Sequence, residues 1–278
     1  MKRKNKKKRE RLFIYVFLIV MAAVFAAPML FTLMSSVKTK VEIFSAPFAL
    51  PEKMMWSNYL EAWQGARMSR YFINSIIQSG ITVIILGVLS SMAAFVLSRF
   101  QFRLNKIIML FFLIGMMVPM HTVLVPISYM IGELNLSDNI PALILVYVAF
   151  GLPFSILIMT NFMRGVNRSL EEAALVDGAN YFQIYCKVML PMTKPAIATV
   201  SIFNFLNAWN NVIFPLIFIK NNDLKPVALG ILNFNGEKGT EYGLMMAAIV
   251  ITVALPMLIY MLFQEKVESG LAAGAVKE

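Results

Sequence analysis

Three asparagines, Asn204, Asn207 and Asn211, recur at spacings of three and four residues inside an otherwise apolar run. That spacing places them on one face of a helix, with Ser201 at its edge and Trp209 turned to the opposite side. An amide both donates and accepts hydrogen bonds, the chemistry that recognises hydroxyl groups without using charge. Asn74 and Gln78, four apart in another apolar run, make a second and shorter polar stripe. Amides in an apolar layer need partners, so each stripe either lines a path for a polar, uncharged solute or holds helices together. An ionic cargo would call for fixed charge on these faces, and they carry none.

The residues of covalent catalysis do not assemble here. The chain has one histidine, His121, which lies within an apolar run, and one cysteine, Cys186. A histidine-cluster metal site and an intrachain disulfide are therefore excluded. Gly236-Glu237-Lys238-Gly239-Thr240 has the letters of a phosphate-binding loop but neither its spacing nor a strand–helix setting. No nucleophile–histidine–carboxylate set is present. The expectation is a protein without enzymatic activity of its own, without cofactor and without metal.

A second kind of site is mechanical. Ser169 and Glu172 stand three apart, the spacing of a capping box, and predict a short helix beginning at Ser169. Asp177-Gly178 predicts a turn, because glycine accepts the positive φ that ends many helices. Asn180 can cap a second helical piece, and Pro191, lacking an amide hydrogen, is expected to end it. The segment lies between two long apolar runs and reads as a rigid helix–turn–helix on a membrane surface.

The elements that position these residues follow from hydropathy. The 278 residues are 59% hydrophobic with a mean hydropathy of +0.72. Apolar runs cover Leu12–Met34, Tyr71–Ser98, Ile107–Ile131, Ile140–Met163, Ala196–Ile219 and Gly243–Gln264, and all Lys, Arg, Asp and Glu fall outside them. Each is long enough to cross a hydrocarbon core of about 30 Å as a helix. The expected fold is an all-α integral membrane protein with six transmembrane helices. The first run is long enough to span, which favours an uncleaved helix over a signal peptide. Prolines 119 and 126 should interrupt the third run, and Pro153, Pro215 and Pro256 should bend the fourth, fifth and sixth.

With a cytoplasmic N-terminus, seventeen of the 25 Lys and Arg residues fall on the inside, eight of them in the leader 1–11. The positive-inside rule then puts both termini and the helix–turn–helix in the cytoplasm. The net charge of +10 sits beside the membrane, where it sets topology and meets anionic lipid, and does not imply nucleic acid. The outside segments are Ser35–Arg70, punctuated by Pro47 and Pro51 and carrying Trp56, Tyr59 and Trp63, and Lys220–Tyr242, a polar, turn-rich stretch expected to be mobile.

Glu172-Ala173-Ala174, Asp177-Gly178-Ala179, Leu190-Pro191 and Pro195 resemble the EAA loop of permease subunits of ATP-binding-cassette importers. Tyr185 stands where that loop often has Phe. The motifs Ser36-Val37-Lys38, Glu42-Ile43-Phe44, Asn58-Tyr59, Asn74-Ser75, Ala208-Trp209-Asn210, Phe214-Pro215-Leu216 and Gly270–Lys277 are similar to those of carbohydrate permeases of the maltose-system type. The resemblance covers nearly the whole chain beyond the leader. It implies a type I, binding-protein-dependent importer permease in a bacterial-type inner membrane. Residues 12–278 would form one permease domain with a coupling loop at 164–195. The implied partners are a second, homologous permease subunit, two cytoplasmic ATP-binding-cassette ATPase subunits, an extracytoplasmic solute-binding protein, a sugar and the lipid bilayer. Other readings are a same-fold permease for glycerol phosphate or an oligopeptide, and an ATP-independent facilitator.

Overall fold

The computed structural model describes residues 2–65, 67–236 and 239–275. The side chains of 2–10, 235–239 and 266–275, and with them the motif Gly270–Lys277, lie outside the described set. In chain order the helices are α1 (Lys2–Ser35), α2 (Lys40–Ser45), α3 (Ser57–Gln64), α4 (Met68–Arg99), α5 (Asn105–Met117) and α6 (Leu124–Glu133). They continue with α7 (Ile140–Gly165), α8 (Ser169–Val176), α9 (Tyr181–Ile184), α10 (Leu190–Met192), α11 (Lys194–Asn210), α12 (Ile213–Phe218), α13 (Val227–Gly230) and α14 (Tyr242–Ala275). Among the described residues, β structure is confined to a two-rung antiparallel ladder, Asn235–Gly236 against Gly239–Thr240.

The six expected runs take three forms. Arg11–Ser35, Met68–Arg99, Ile140–Gly165 and Tyr242–Glu265 are continuous helices long and apolar enough to cross a bilayer. The third run is a bent pair: Asn105–Met117 and Met120–Glu133 meet at 88°. Pro119 is the cause, since it forces Val118 into an extended conformation (ψ 115°) and lacks an amide hydrogen. Pro126 falls in the first turn of α6, where it costs no hydrogen bond. His121 accordingly lies in a 3-10 turn, Met120–Val123, rather than inside a span. The fifth run is divided at Asn211, leaving α11 with 17 residues, about 26 Å at ~1.5 Å per residue. Pro153 and Pro256 sit inside unbroken α7 and α14.

The chain forms two compact units, one of Met1–Met68 with Ile231–Val253 and the other of Ser69–Gly230 with Ala254–Glu278. In the first, the 35–70 region is built rather than loose. Thr39 and Glu42 cap α2 reciprocally: the Thr39 amide donates to Glu42 Oε2 at 2.8 Å and the Glu42 amide to Thr39 Oγ1 at 3.3 Å. Lys38 is buried, its ammonium donating to the carbonyls of Ala46 and Pro47, each at 3.0 Å. The Asn58 amide donates to the carbonyls of Ser36 (2.9 Å) and Lys38 (3.1 Å). Gly243 packs so closely here that a Cβ would stand 2.8 Å from the Lys38 carbonyl oxygen.

The second unit packs around two apolar clusters. One joins Ala94 and Phe95 of α4, Met159 and Met163 of α7, Ile184, Tyr185 and Met189, and Ala196 and Val200 of α11. The other joins Ile131, Leu143, Val146 and Tyr147 to Ala208, Phe214, Phe218 and Ile219. In lipid such clusters gain from close packing rather than from leaving water, so small residues matter at the contacts. At Gly151 of α7 a Cβ would collide with Asn204 Oδ1 and stand 2.7 Å from Leu86 Cδ1.

The 219–230 segment is fastened, contrary to the expectation of a mobile loop. Ser75 Oγ accepts the Val227 amide (2.8 Å), and Val227 and Leu229 are buried. Asp138 Oδ1 accepts the amides of Lys220 (2.9 Å) and Asn221 (2.8 Å). Apolar residues within the expected polar loop supply this anchoring.

Truncating Asn58 strands two buried carbonyls, a loss of about 1–3 kcal/mol each way such groups are measured. Asn58→Ala is expected to lower the thermal midpoint in detergent by several degrees; an unchanged midpoint would show that water reaches those carbonyls.

Candidate functional site

Two regions of the second unit carry the predicted residues. The first is a cavity of about 210 Å³ lined by Met120, Tyr147, Phe150, Gly151, Asn204, Asn207, Ala208, Asn211 and Phe214. The wall comes from α7, α11, the break at Asn211, α12 and the 3-10 turn that holds Met120. Asn211 has left the helix (φ −73°, ψ 125°), so it does not share a helical face with the other two asparagines as expected. Its Oδ1 accepts the Phe214 amide at 3.0 Å and so starts α12. All three asparagines nevertheless meet at the cavity. Asn204 is 4% exposed; its amide nitrogen donates to Ser155 Oγ (2.9 Å) and the Val200 carbonyl (2.8 Å). Ser155 Oγ in turn donates to the Gly151 carbonyl at 2.7 Å.

The residue that sequence reasoning missed is Tyr147. Its side chain is buried, and its hydroxyl has no hydrogen-bond partner. A buried hydroxyl normally finds one, so this group has a bond to give at the edge of the cavity. Aromatic rings complete the wall, with Phe150 and Phe214 centroids 5.6 Å apart and Tyr147 6.0 Å from Phe214. None of the nine lining residues is charged. A tyrosine within an apolar run was the available signal, since its polar tip needs a partner when buried.

Asn74 and Gln78 are not part of this cavity. The Asn74 amide donates to the carbonyls of Asp223 (2.8 Å) and Lys225 (3.0 Å). Gln78 donates to the Ala208 carbonyl at 3.4 Å, a group freed because α11 ends before residue 212. These bonds join α4 to the 223–225 stretch and to the end of α11. Trp209 faces inward, edge-on to Phe72 of α4 at 5.2 Å.

The second region is the hairpin between α7 and α11. Helix α8 begins at Ser169 as expected, but its cap differs: the Ser169 amide donates to Asn167 Oδ1 at 3.1 Å, and no capping box joins Ser169 to Glu172. Glu172, Ala173, Asp177 and Gly178 are exposed, while Ala174 and Ala179 pack against the first cluster. Gly178 has φ +82°. The Gly178 amide donates to the Leu175 carbonyl (3.0 Å) and the Ala179 amide to the Ala174 carbonyl (2.9 Å), the two bonds of a Schellman ending. Asn180 caps α9 reciprocally with Gln183, both bonds at 2.9 Å.

Pro191 does not end the second piece. Tyr185–Met189 winds as a π turn into α10, which leaves room for the ring, and the chain turns instead at Thr193 before Pro195 opens α11. Leu190 is half-buried against the first cluster and Pro191 is exposed. The tip of the hairpin shows Val176 (87% exposed), Phe182 (70%) and Tyr181 (55%) to its surroundings. Behind it Glu171 pairs with Arg99 at the end of α4. Burial pushes the Glu171 carboxyl above the usual range, and Arg99 and Arg168 pull it back. Adjacent glutamates look alike in sequence, so only the fold tells that Glu171 is the one turned inward.

The family model of binding-protein-dependent transport system inner membrane components matches residues 87–272. The chain belongs to that family. This inner-membrane component is 36% identical over 265 residues to the diacetylchitobiose uptake system permease protein of Streptomyces coelicolor, covering 95% of this chain and 88% of that one. It is 29% identical over 260 residues to a probable starch degradation products transport system permease protein of Thermoanaerobacterium thermosulfurigenes, covering 94% of each. Its fold is that of a chain in the crystal structure of a bacterial ABC transporter involved in the import of the acidic polysaccharide alginate. There the TM-score is 0.81 at 22% identity over 91% of this chain and 95% of that one. As a permease it is a transport component and not the ATPase of such a system.

Removing the Asn180 side-chain cap is expected to cost about 1 kcal/mol locally. In Asn180→Ala, amide hydrogen exchange at Gln183 and Ile184 should quicken roughly fivefold, whereas unchanged rates would show that α9 is held by packing alone.

Proposed function

We propose that this permease forms part of the translocation pathway for a neutral sugar or oligosaccharide, driven by partner ATPases through the hairpin 164–195. The observation that carries the cargo assignment is the buried, unpartnered Tyr147 hydroxyl facing a cavity that Asn204, Asn207 and Asn211 share. Amides and a phenol donate and accept toward sugar hydroxyls, and the rings of Phe150 and Phe214 offer apolar faces to a pyranose. The uncharged wall disfavours glycerol phosphate. Relatives named for diacetylchitobiose, starch degradation products and alpha-glucoside transport support the same cargo class.

For coupling, the exposed tip residues Val176, Tyr181 and Phe182 suit a cleft on an ATPase, and the Schellman turn at Gly178 makes the tip stiff. Glu172, Ala173, Ala174, Asp177, Gly178, Ala179, Leu190 and Pro191 form this lever. The assembly then holds a second homologous permease, two ATPase subunits and an extracytoplasmic solute-binding protein, with six membrane crossings and both termini in the cytoplasm. ATP binding closes the ATPases, the lever moves the spans from inward- to outward-facing, and a loaded binding protein delivers its sugar.

Mild-detergent purification is expected to recover a related permease and a P-loop ATPase with this chain. Recovery of the chain alone, with saccharide flux in liposomes that needs no ATP, would overturn the reading in favour of a facilitator. In the reconstituted complex, supplied with a panel of radiolabelled neutral di- and trisaccharides, Tyr147→Phe should lower uptake about tenfold, the loss of one hydrogen bond. Its thermal midpoint should not fall, because the hydroxyl has no partner to lose; a stability loss without an uptake loss would make Tyr147 structural. Gly178→Asp should assemble and hydrolyse ATP yet transport little, and normal uptake would count against the coupling role.

A further inference from the structure

Arg99, the last residue of α4, gathers four segments around one guanidinium. Its side chain is 5% exposed and that of Glu171, its ion-pair partner in the first turn of α8, is 14% exposed. Arg99 Nη2 donates to the carbonyl of Val166, just past the end of α7, at 3.0 Å, and lies 3.6 Å from Met189 Sδ in the π turn. The ends of two long helices, the short hairpin helix and the turn that leads into α11 are thus held by a single planar group. Ala174 of α8, and Ala179 just after it, also pack against the first cluster, each through a methyl group. Methyl contacts allow sliding, whereas the ion pair to Glu171 holds distance and the hydrogen bond to the Val166 carbonyl fixes direction.

We propose that Arg99 and Glu171 are positioning residues that lock the hairpin helix to the end of α4, so that a push on the hairpin moves the span with it. The proposal rests on the coupling role given to the hairpin above. A buried pair is a poor source of stability, since well-packed apolar residues of similar volume replace it without loss. It is a good source of geometry, and the two contributions can be separated. Arg99→Met/Glu171→Leu leaves no unpaired charge behind and should assemble normally while losing the lock. Glu171→Gln keeps the shape and removes only the carboxylate charge.

The experiment uses the detergent-purified complex with its ATPase, in a Cys186→Ala background carrying spin labels at Val88→Cys on α4 and Ser169→Cys on α8. Pulsed electron resonance reads the distance between labels without nucleotide and after trapping with ATP and vanadate. With the pair intact, one narrow distance is expected in both states. In Glu171→Gln and in the double variant, trapping should split the distance into two populations, and uptake per ATP hydrolysed should fall at least tenfold. A single unchanged distance in both variants, with the ATPase bound, overturns the proposal. So does failure of both variants to assemble, which would assign the pair to stability alone. If no ATPase binds the unsubstituted chain, the coupling reading itself falls and takes this proposal with it.

Discussion

A backbone carbonyl or amide freed within an apolar layer has no water to bond, and several irregularities in this chain are answered by a polar side chain at that place. Where α11 stops short, the Ala208 carbonyl takes a hydrogen bond from Gln78, and Asn211 starts the next helix by accepting the Phe214 amide. Where α4 ends, Asn105 donates to the carbonyls of Leu97 (3.1 Å) and Phe100 (2.8 Å). Thr193 donates to the Met189 carbonyl at 2.9 Å beside Pro191. The Tyr147 hydroxyl is one of several buried side-chain groups without a hydrogen-bond partner among the described residues, and it is one that borders the cavity.

The cavity exists because α11 is interrupted. A continuous helix would carry Asn211 on and bury its carbonyl in the ladder, and the residues after it would close over Asn207. Breaking the helix brings Asn211 and Phe214 round beside Tyr147. One residue both lines the cavity and mends the broken ladder. Asn211 does so directly, its Oδ1 accepting the Phe214 amide while the residue lines the cavity.

Much of the architecture can be read from residue order. Hydropathy marks the long helices, Gly178 marks the turn, and the Asn180–Gln183 spacing marks a cap, because each depends on neighbours in sequence. Other features depend on what arrives from elsewhere. Pro191 reads as a stop, but a π turn opens the helix around it. Asn74 and Gln78 read equally as path or as brace, and the carbonyls they bond, those of Asp223, Lys225 and Ala208, lie some 130 to 150 residues away. Glu171 and Arg99 are 72 positions apart in the sequence, and no local pattern pairs them.

The fit of Gly151 against Asn204 bears on how such a chain diverges. The glycine is empty where the amide stands, so any side chain at 151 would evict it. The evicted amide would take from Ser155 Oγ the hydrogen bond it accepts from Asn204. The two positions thus behave as one heritable unit: a lineage that enlarges residue 151 must shrink residue 204 in the same step or pass through a damaged intermediate. Change at this pair is in this way shielded from gradual drift and comes as a jump.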